Sequence, residues 1–306
     1  MNAADIHHAG AGRKSDTAIR DALGGAVDAL AAAGVETPRL DAEILLCEAT
    51  GWDRASLAAG PEDGVPPAAA RRFGEMVRRR LRREPVAYIV GRKGFRHLEL
   101  AVDRRVLIPR PETELLVELA LELRPGRLLD VGTGSGAIAL AVAQELPDCE
   151  VTASDTSAAA LEVARANADR LGLAERVRFG EETLPDGADR FDLVVANLPY
   201  VSEAEWGRLQ PEVTEWEPRE ALLAGPAGLD AIRAFLAECV RGLSAYARLN
   251  ANAVVEGSRP VVALEVGAGQ AAEVAELVRA AGWGSVEARR DLAGIERVVV
   301  GTTSAP

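Results

Sequence analysis

This 306-residue sequence predicts a doubly wound, mostly parallel α/β sheet preceded by a small all-α domain. Three observations predict that class. From Arg127 onward, short apolar runs alternate with stretches of helical periodicity, the pattern of strand–helix–strand crossovers. Before about residue 85 only helical spacing occurs. Two turn-rich segments, residues 132–136 and 197–200, directly follow apolar runs, where ligand-binding loops of such sheets lie.

The elements follow in order. Residues 1–16 carry His7, His8, Arg13 and Lys14 but no apolar core, and read as a flexible tail. Ser15 and Asp16 offer an N-cap to a helix in which Ile19, Leu23, Val27 and Leu30 recur until Gly34. Leu40, Ile44 and Leu45 mark a second helix ending near Gly51. A third runs from about Pro67 to Leu81, which makes residues 17–84 a helical domain. In residues 85–108, Val86-Ala87-Tyr88-Ile89-Val90 and Leu98-Glu99-Leu100-Ala101-Val102 are β-type runs around Gly91 and Gly94, and predict a linking β-hairpin. Pro109 and Pro111 end that pattern, because proline donates no ladder hydrogen bond. Residues 109–306 form the α/β domain, opening with a helix at 112–123. Seven strands are expected at 127–131, 150–154, 176–179, 191–196, 261–266, 285–288 and 297–300. Helices are expected at 136–146, 157–171, 228–243 and 270–281, and 244–260 reads as a long, irregular link.

Composition narrows the function. Hydrophobic content is 48% and charged content 27%, ordinary for a globular protein. No run approaches the length of a membrane span, so no membrane association is expected and the cytoplasm is the default. The net charge of -12 argues against broad or sequence-specific binding to nucleic acid. One local exception is residues 71–83, with seven Arg and one Glu. A solvated helix face is one reading, and a docking patch for an acidic or RNA-containing partner is the other. Cys47, Cys149 and Cys239 are far apart and lack metal-ligand spacing, so they read as free thiols with no metal site.

Two segments carry chemistry. Asp130, Val131, Gly132, Thr133, Gly134, Ser135 and Gly136 run from a strand into a glycine turn and then a helix. Glycine lets the backbone turn sharply and approach a ligand. Asp155 ends the next strand, 19 residues beyond Gly136, where an acidic side chain accepts ribose hydroxyls. A tight turn with a capping Asp is the plainer reading of the pair. Dinucleotide loops space their glycines Gly-x-Gly-x-x-Gly; here the third glycine comes one residue early. The second segment is Asn197-Leu198-Pro199-Tyr200, at the end of the apolar run Phe191-Asp192-Leu193-Val194-Val195-Ala196.

The glycine loop resembles the S-adenosylmethionine loop of class I methyltransferases. Glu181 and Glu182, after the third strand, then fall where that family contacts adenine. Asn-Leu-Pro-Tyr looks like Asn-Pro-Pro-Tyr, with which some methyltransferases hold a planar amide or amine nitrogen, and differs at Leu198. Further runs extend the likeness over nearly the whole chain beyond residue 17. They are Glu84-Pro85-Val86-Ala87-Tyr88-Ile89, Val106-Leu107-Ile108-Pro109-Arg110-Pro111-Glu112-Thr113-Glu114, Glu217-Pro218-Arg219-Glu220-Ala221-Leu222 and Arg290-Asp291-Leu292-Ala293-Gly294. Together they resemble the protein-glutamine N5-methyltransferases of the HemK/PrmC family, which modify peptide chain release factors.

The resemblance implies a seven-stranded class I methyltransferase sheet with S-adenosylmethionine as methyl donor. It implies a monomer whose partner is a release factor that presents its glutamine on a GGQ-type loop. Asp130, Gly132, Thr133, Gly134, Ser135, Gly136, Asp155, Glu181, Glu182 and Asn197 would then bind the cofactor. Asn197 and the Leu198 carbonyl would accept the glutamine amide N–H groups, and Pro199 and Tyr200 would wall its plane. Arg110, Pro111, Glu112 and Thr113 precede the core sheet and would close over the cofactor end of the site, a helix start with Pro near N1 and an acidic first turn being the other reading; His97 is read as structural. Other readings keep the chemistry with another protein or a specialised metabolite as acceptor, make the acceptor adenine N6 in a nucleic acid, or make the chain a non-catalytic binder of the cofactor.

Overall fold

A computed structural model describes residues 17–184, 191–249 and 261–302. The chain divides into two compact units on either side of Val90 and Gly91. The first unit is helical: α1 (Ile19–Ala32), α2 (Pro38–Thr50), α3 (Arg54–Ala59), α4 (Pro67–Leu81) and α5 (Val86–Val90). Its core gathers Ile19, Leu30, Leu45, Leu46, Val65 and Phe73, the apolar stripes of amphipathic helices turned onto one another. The N-cap expected from Ser15 and Asp16 lies outside the described residues. The first free N–H groups of α1 are met otherwise, with Ile19 and Arg20 donating to the carbonyls of Asp63 and Pro61 at 3.0 Å. The sequence reading passed over α3, whose cap is Asp53 accepting from the Ser56 amide at 2.7 Å.

Four of the seven arginines of the arginine-rich stretch, Arg71, Arg72, Arg78 and Arg82, are exposed, as a solvated face requires, while others are tied into this unit. Arg80 is buried and pairs with buried Asp41 at 2.7 Å; Arg72 pairs with Glu48 at 2.5 Å; Arg79 pairs with Glu84 at 2.5 Å. Arg79 also explains a correction. Val86–Val90, read as a β-type run, is the short helix α5. The Tyr88 and Ile89 amides bond the Pro85 carbonyl, and the Arg79 guanidinium caps the Tyr88 and Ile89 carbonyls at 3.4 and 3.3 Å. Tertiary contacts thus override the strand preference of β-branched residues.

The second unit opens with a hairpin, β1 (Arg92–Phe95) and β2 (Leu98–Ala101). The hairpin is therefore present, but its first strand lies beyond Gly91. His97 is exposed in its turn. Then come α6 (Glu114–Leu123), β3 (Arg127–Val131), α7 (Ala137–Glu145), β4 (Glu150–Ser154), α8 (Ala158–Leu171), β5 (Val177–Gly180) and β6 (Leu193–Ala196). The short helices α9 (Glu203–Trp206) and α10 (Pro211–Thr214) precede α11 (Asp230–Leu249), β7 (Val261–Glu265), α12 (Ala271–Ala280), β8 (Ser285–Arg290) and β9 (Glu296–Thr302). Helix α11 outruns its expected end at 243, so part of the irregular link expected at 244–260 is helical; residues 250–260 lie outside the described residues.

The seven strands run in the order β5-β4-β3-β6-β7-β9-β8. All pair in parallel except β9, which is antiparallel to β7 and β8. Side chains alternate across a strand, so a strand covered on both faces must be apolar at every position. Leu193, Val194, Val195 and Ala196 are all buried. Leu193 and Val195 join the core with α6 and α7, while Val194 and Ala196 join the core with α11 and α12. At roughly 1.5–3 kcal/mol for each large apolar side chain removed from water, this central strand anchors the sheet.

One buried amide ties three segments together. Asn167 of α8 donates to the carbonyls of Ala101 and Ser135 at 3.0 and 2.9 Å and accepts from the Ala101 amide at 2.7 Å. It pins the hairpin and the glycine loop to the same helix. Asn167→Ala strands these backbone groups and is expected to lower stability by roughly 2–4 kcal/mol, measured by urea unfolding.

Candidate active site

Register sets the geometry of the site. Val131 of β3 pairs with Ser154 of β4 and with Ala196 of β6, and Ala196 pairs with Leu264 of β7. The next residues along these parallel strands, Gly132, Asp155, Asn197 and Glu265, therefore leave the sheet in one row at its carboxyl edge. Between β3 and β6 the direction of strand addition reverses, and ligand crevices of open α/β sheets form at such a point. A cavity of about 1050 Å³, counting the space open at its mouth, lies there.

Of the sequence-predicted residues, Arg110, Gly132, Thr133, Gly134, Ser135, Asp155, Asn197, Leu198 and Pro199 line this cavity. Asp130, Gly136 and Tyr200 are not among its lining residues. Glu181 and Glu182 are exposed and outside the lining. Thr183 lines the cavity in their stead, its carbonyl drawn in by the Ser154 hydroxyl at 3.2 Å.

The glycine loop is built for its turn. Gly132, Gly134 and Gly136 have φ of 73°, 56° and 85°, a region closed to most side chains. The Gly132 and Thr133 amides donate to the Ser154 carbonyl at 2.8 and 2.9 Å. The Gly134 amide donates to Asp155 Oδ2, and the Ser157 amide to Asp155 Oδ1, both at 2.9 Å. Two amides thus hold the Asp155 carboxylate still, and each oxygen keeps a lone pair for a further donor.

Asp130 works from beneath. Fully buried, its Oδ2 accepts from the Thr133 hydroxyl at 2.6 Å and the Ala139 amide at 3.1 Å. Among the described residues its Oδ1 has no partner. Burial pushes its carboxyl up to about 7, the Asp155 charge adds to the rise, and the two hydrogen bonds oppose it. Asp130 therefore shapes the loop without being part of the cavity lining.

The Asn197 segment lies against this loop. Asn197 donates from Nδ2 to the Thr113 hydroxyl at 3.0 Å. Among the described residues no donor reaches its Oδ1 or the Leu198 carbonyl. Leu198 packs on the sheet core, and a β-carbon on Gly132 would come within 3.4 Å of its Cδ2. Behind it, the Tyr200 hydroxyl approaches Glu265 Oε1 at 3.4 Å, and the Tyr200 carbonyl accepts from Gln270 at 2.9 Å. Burial raises the Tyr200 phenol above its usual range.

Two residues that matter here, Glu217 and Glu265, have no site role in the sequence reading, and a third, Thr113, has one only as part of the segment that closes over the site. Glu217 is buried and accepts both the Ile108 amide, at 3.0 Å, and the Arg110 guanidinium, at 2.5 Å. It joins two sequence motifs 109 residues apart. Thr113, expected with Arg110 to close over the site, meets the Asn197 side chain. Glu265 carried the same signal as Asp155, an acidic residue ending a buried strand. It is 1% exposed, and its Oε2 has no partner among the described residues. Burial first, then the Glu112 charge, pushes its carboxyl up to about 7 against hydrogen bonds from Thr113 and Tyr200.

Residues 21–91 match the PrmC N-terminal domain and residues 111–210 the methyltransferase small domain. The release factor glutamine methyltransferase of Nitratidesulfovibrio vulgaris is 41% identical over 98% of this chain and 97% of its own. The chain belongs to the release factor glutamine methyltransferase family. The Moorella thermoacetica member is 43% identical over 91% of this chain and 96% of its own. In fold, the chain is similar to the solved hMettl16 catalytic domain in complex with MAT2A 3'UTR hairpin 6, with TM-score 0.50 and 15% identity over 67% of this chain and 76% of that one. The chain is a methyltransferase with S-adenosylmethionine as its methyl donor. The cavity fits that donor, with a fixed carboxylate for two hydroxyls, a glycine loop that admits close approach, and a largely apolar lining.

Asp130 gives a stability test with a definite sign. Its carboxyl is raised from 3.8 to about 7 on folding, so the folded state holds the proton more tightly. Its contribution is full below about pH 4 and is lost as pH rises through about 7. Asp130→Asn removes this dependence. Between pH 5 and pH 8 the stability of the variant relative to the parent is expected to rise by a few kcal/mol, on the order of 1.4 kcal/mol for each tenfold change in proton affinity, read from urea unfolding at the two pH values.

Proposed function

We propose that this methyltransferase transfers a methyl group to the side-chain amide nitrogen of a glutamine in a peptide chain release factor. One observation carries the reading: Asn197, its Nδ2 engaged by Thr113 and its Oδ1 unengaged among the described residues, stands beside the glycine loop at the strand switch point. A carboxamide nitrogen is a weak nucleophile, because its lone pair is delocalised into the carbonyl. Its two N–H groups are donors, and acceptors can aim them.

In this reading Asn197 Oδ1 and the Leu198 carbonyl each accept one amide N–H. Together they turn the nitrogen toward the donor and stabilise the positive charge that grows on it. Pro199 and Tyr200 flank the amide plane, and Tyr200 is stiffened by its bonds to Glu265 and Gln270. Asp155 takes the ribose hydroxyls, the glycine loop takes the donor's amino-acid end, and Thr183 lies toward its base. Bound there, S-adenosylmethionine supplies an electrophilic methyl group on a sulfonium. Residues 106–113, strapped to Glu217 through Ile108 and Arg110, wall the cavity against water. Most of the acceleration is in-line positioning. No strong base is required, since an N-protonated, N-methylated amide is very acidic.

Mass spectrometry of purified release factor incubated with the enzyme and methyl-labelled donor tests this function. A gain of one methyl group on a glutamine is expected; an unmodified glutamine after many enzyme equivalents overturns it. Asn197→Ala is expected to abolish transfer with donor affinity within a few fold. Asp155→Ala is expected to weaken donor binding by about 1.5–3 kcal/mol, read by calorimetry.

A further inference from the structure

We propose that Glu217 sets the charge of the donor cavity, so that the cationic methyl donor is held in preference to the neutral product it leaves behind. Methyl transfer leaves the S–C electron pair on sulfur and turns a sulfonium into a thioether. Donor and product therefore differ by one methyl group and one positive charge, and a site can tell them apart by its own charge. Glu217 can act in this way only if the donor lies in the cavity at the β3–β6 junction, as in the function proposed above.

The cations of the cavity are both matched. Among its lining residues only Arg105 and Arg110 carry positive side chains. Arg105 pairs with Asp103 at 2.6 Å and with Glu162 at 3.0 Å, and all three side chains are well exposed, where water and salt screen them. Arg110 is different. Its side chain is 31% exposed and that of its partner Glu217 is 2% exposed, so this pair is screened less. Arg110 donates to Glu217 Oε1 at 2.5 Å, and the Ile108 amide donates to Oε2 at 3.0 Å. Glu217 is the only carboxylate paired with Arg110 among the described residues.

With both arginines matched, Asp155 and Glu220 leave the cavity lining net negative, which favours a cation over a neutral molecule. An Arg110 stripped of Glu217 puts an unmatched positive charge at the wall. Two unit charges about 10 Å apart, the width of such a cavity, repel enough at an effective dielectric constant of about 20 to shift a binding equilibrium roughly ten-fold. That repulsion acts on the sulfonium and not on the thioether.

The chain also lets this charge be separated from the shape of the wall. Arg104 lies over the Trp216 ring, 4.7 Å from its centroid, and donates to the Glu215 carbonyl at 3.1 Å. Residues 104–110 thus have a second tie to residues 215–217. Glutamine has nearly the volume of glutamate and an oxygen that can still accept the Ile108 amide. Any loosening of the wall weakens donor and product alike, whereas the charge weakens the donor alone.

The test measures, by calorimetry, the affinities of S-adenosylmethionine and S-adenosylhomocysteine for the parent and four variants. In Glu217→Gln the ratio of donor to product affinity is expected to fall roughly 5- to 20-fold at low salt and by less at high salt. In Arg110→Met with Glu217→Gln, which removes both charges, the ratio is expected to return to within about two-fold of the parent. An unmoved ratio in Glu217→Gln overturns the proposal, whatever happens to either affinity alone, and so does a ratio that stays shifted in the double variant. If melting shows that Glu217→Gln does not fold, Arg110→Met decides. It leaves the Glu217 charge unmatched, so the ratio is expected to move toward the donor, and an unmoved ratio overturns the proposal. Asp155→Ala is expected to weaken both ligands, since both carry the ribose. Unchanged binding of both there overturns the placement of the donor and this proposal with it; loss there with an unmoved ratio in Glu217→Gln overturns the proposal alone.

Discussion

The rest of the site depends on one constraint, the level register of four parallel strands. Because Val131 pairs with both Ser154 and Ala196, and Ala196 with Leu264, the chain has no freedom over where its next residues emerge. A one-residue slip would turn every side chain to the other face of the sheet and bury the polar ends among the apolar helices. The unbroken apolar run of β6 gives that register its energy. The glycine loop and the acceptor motif meet because their strands are neighbours on either side of the reversal in strand order. Keeping that pairing keeps the site, whatever the loops between do.

Around this row the protein uses three buried carboxyls in different ways. Glu217 is matched by a guanidinium and an amide and serves as a clasp. Asp130 is matched by a hydroxyl and an amide and keeps one oxygen without a partner among the described residues. Glu265 is approached only by the Tyr200 hydroxyl among the described residues, at 3.4 Å, and its Oε2 has no partner there. The last two are pushed up toward neutrality because hydrogen bonds replace only part of the lost hydration. Such perturbed groups cluster where function is, a tendency rather than a rule. Here their neighbours separate the roles of the two. Asp130 shapes the turn of the glycine loop, and Glu265 leaves the sheet level with Asn197, the residue we propose meets the acceptor.

Much of this was legible in the sequence. The alternation of apolar runs with helical spacing revealed the sheet, since period-two and 3.6-residue patterns differ most where burial is deepest. Asp155, the glycine loop and Asn197 stood out as polar or flexible residues at the ends of apolar runs. What stayed hidden was long-range pairing. Nothing near Glu217 says that it will hold Ile108 and Arg110, and nothing near Thr113 says that it will meet Asn197, because those contacts exist only after the sheet has closed. Val86–Val90 misled for a related reason, its helix being capped by Arg79 from another element. Glu181 and Glu182 are expected at the site from their place after the third strand; the structure has both exposed, with Thr183 in the cavity lining.

The most direct test is a crystal structure of the enzyme with S-adenosylhomocysteine and the glutamine-bearing release factor. The expected result is a glutamine amide nitrogen within about 3 Å of both Asn197 Oδ1 and the Leu198 carbonyl, in line with the sulfur across the β3–β6 junction. An amide nitrogen held elsewhere, or an Asn197 that presents Nδ2 to it, would contradict the account.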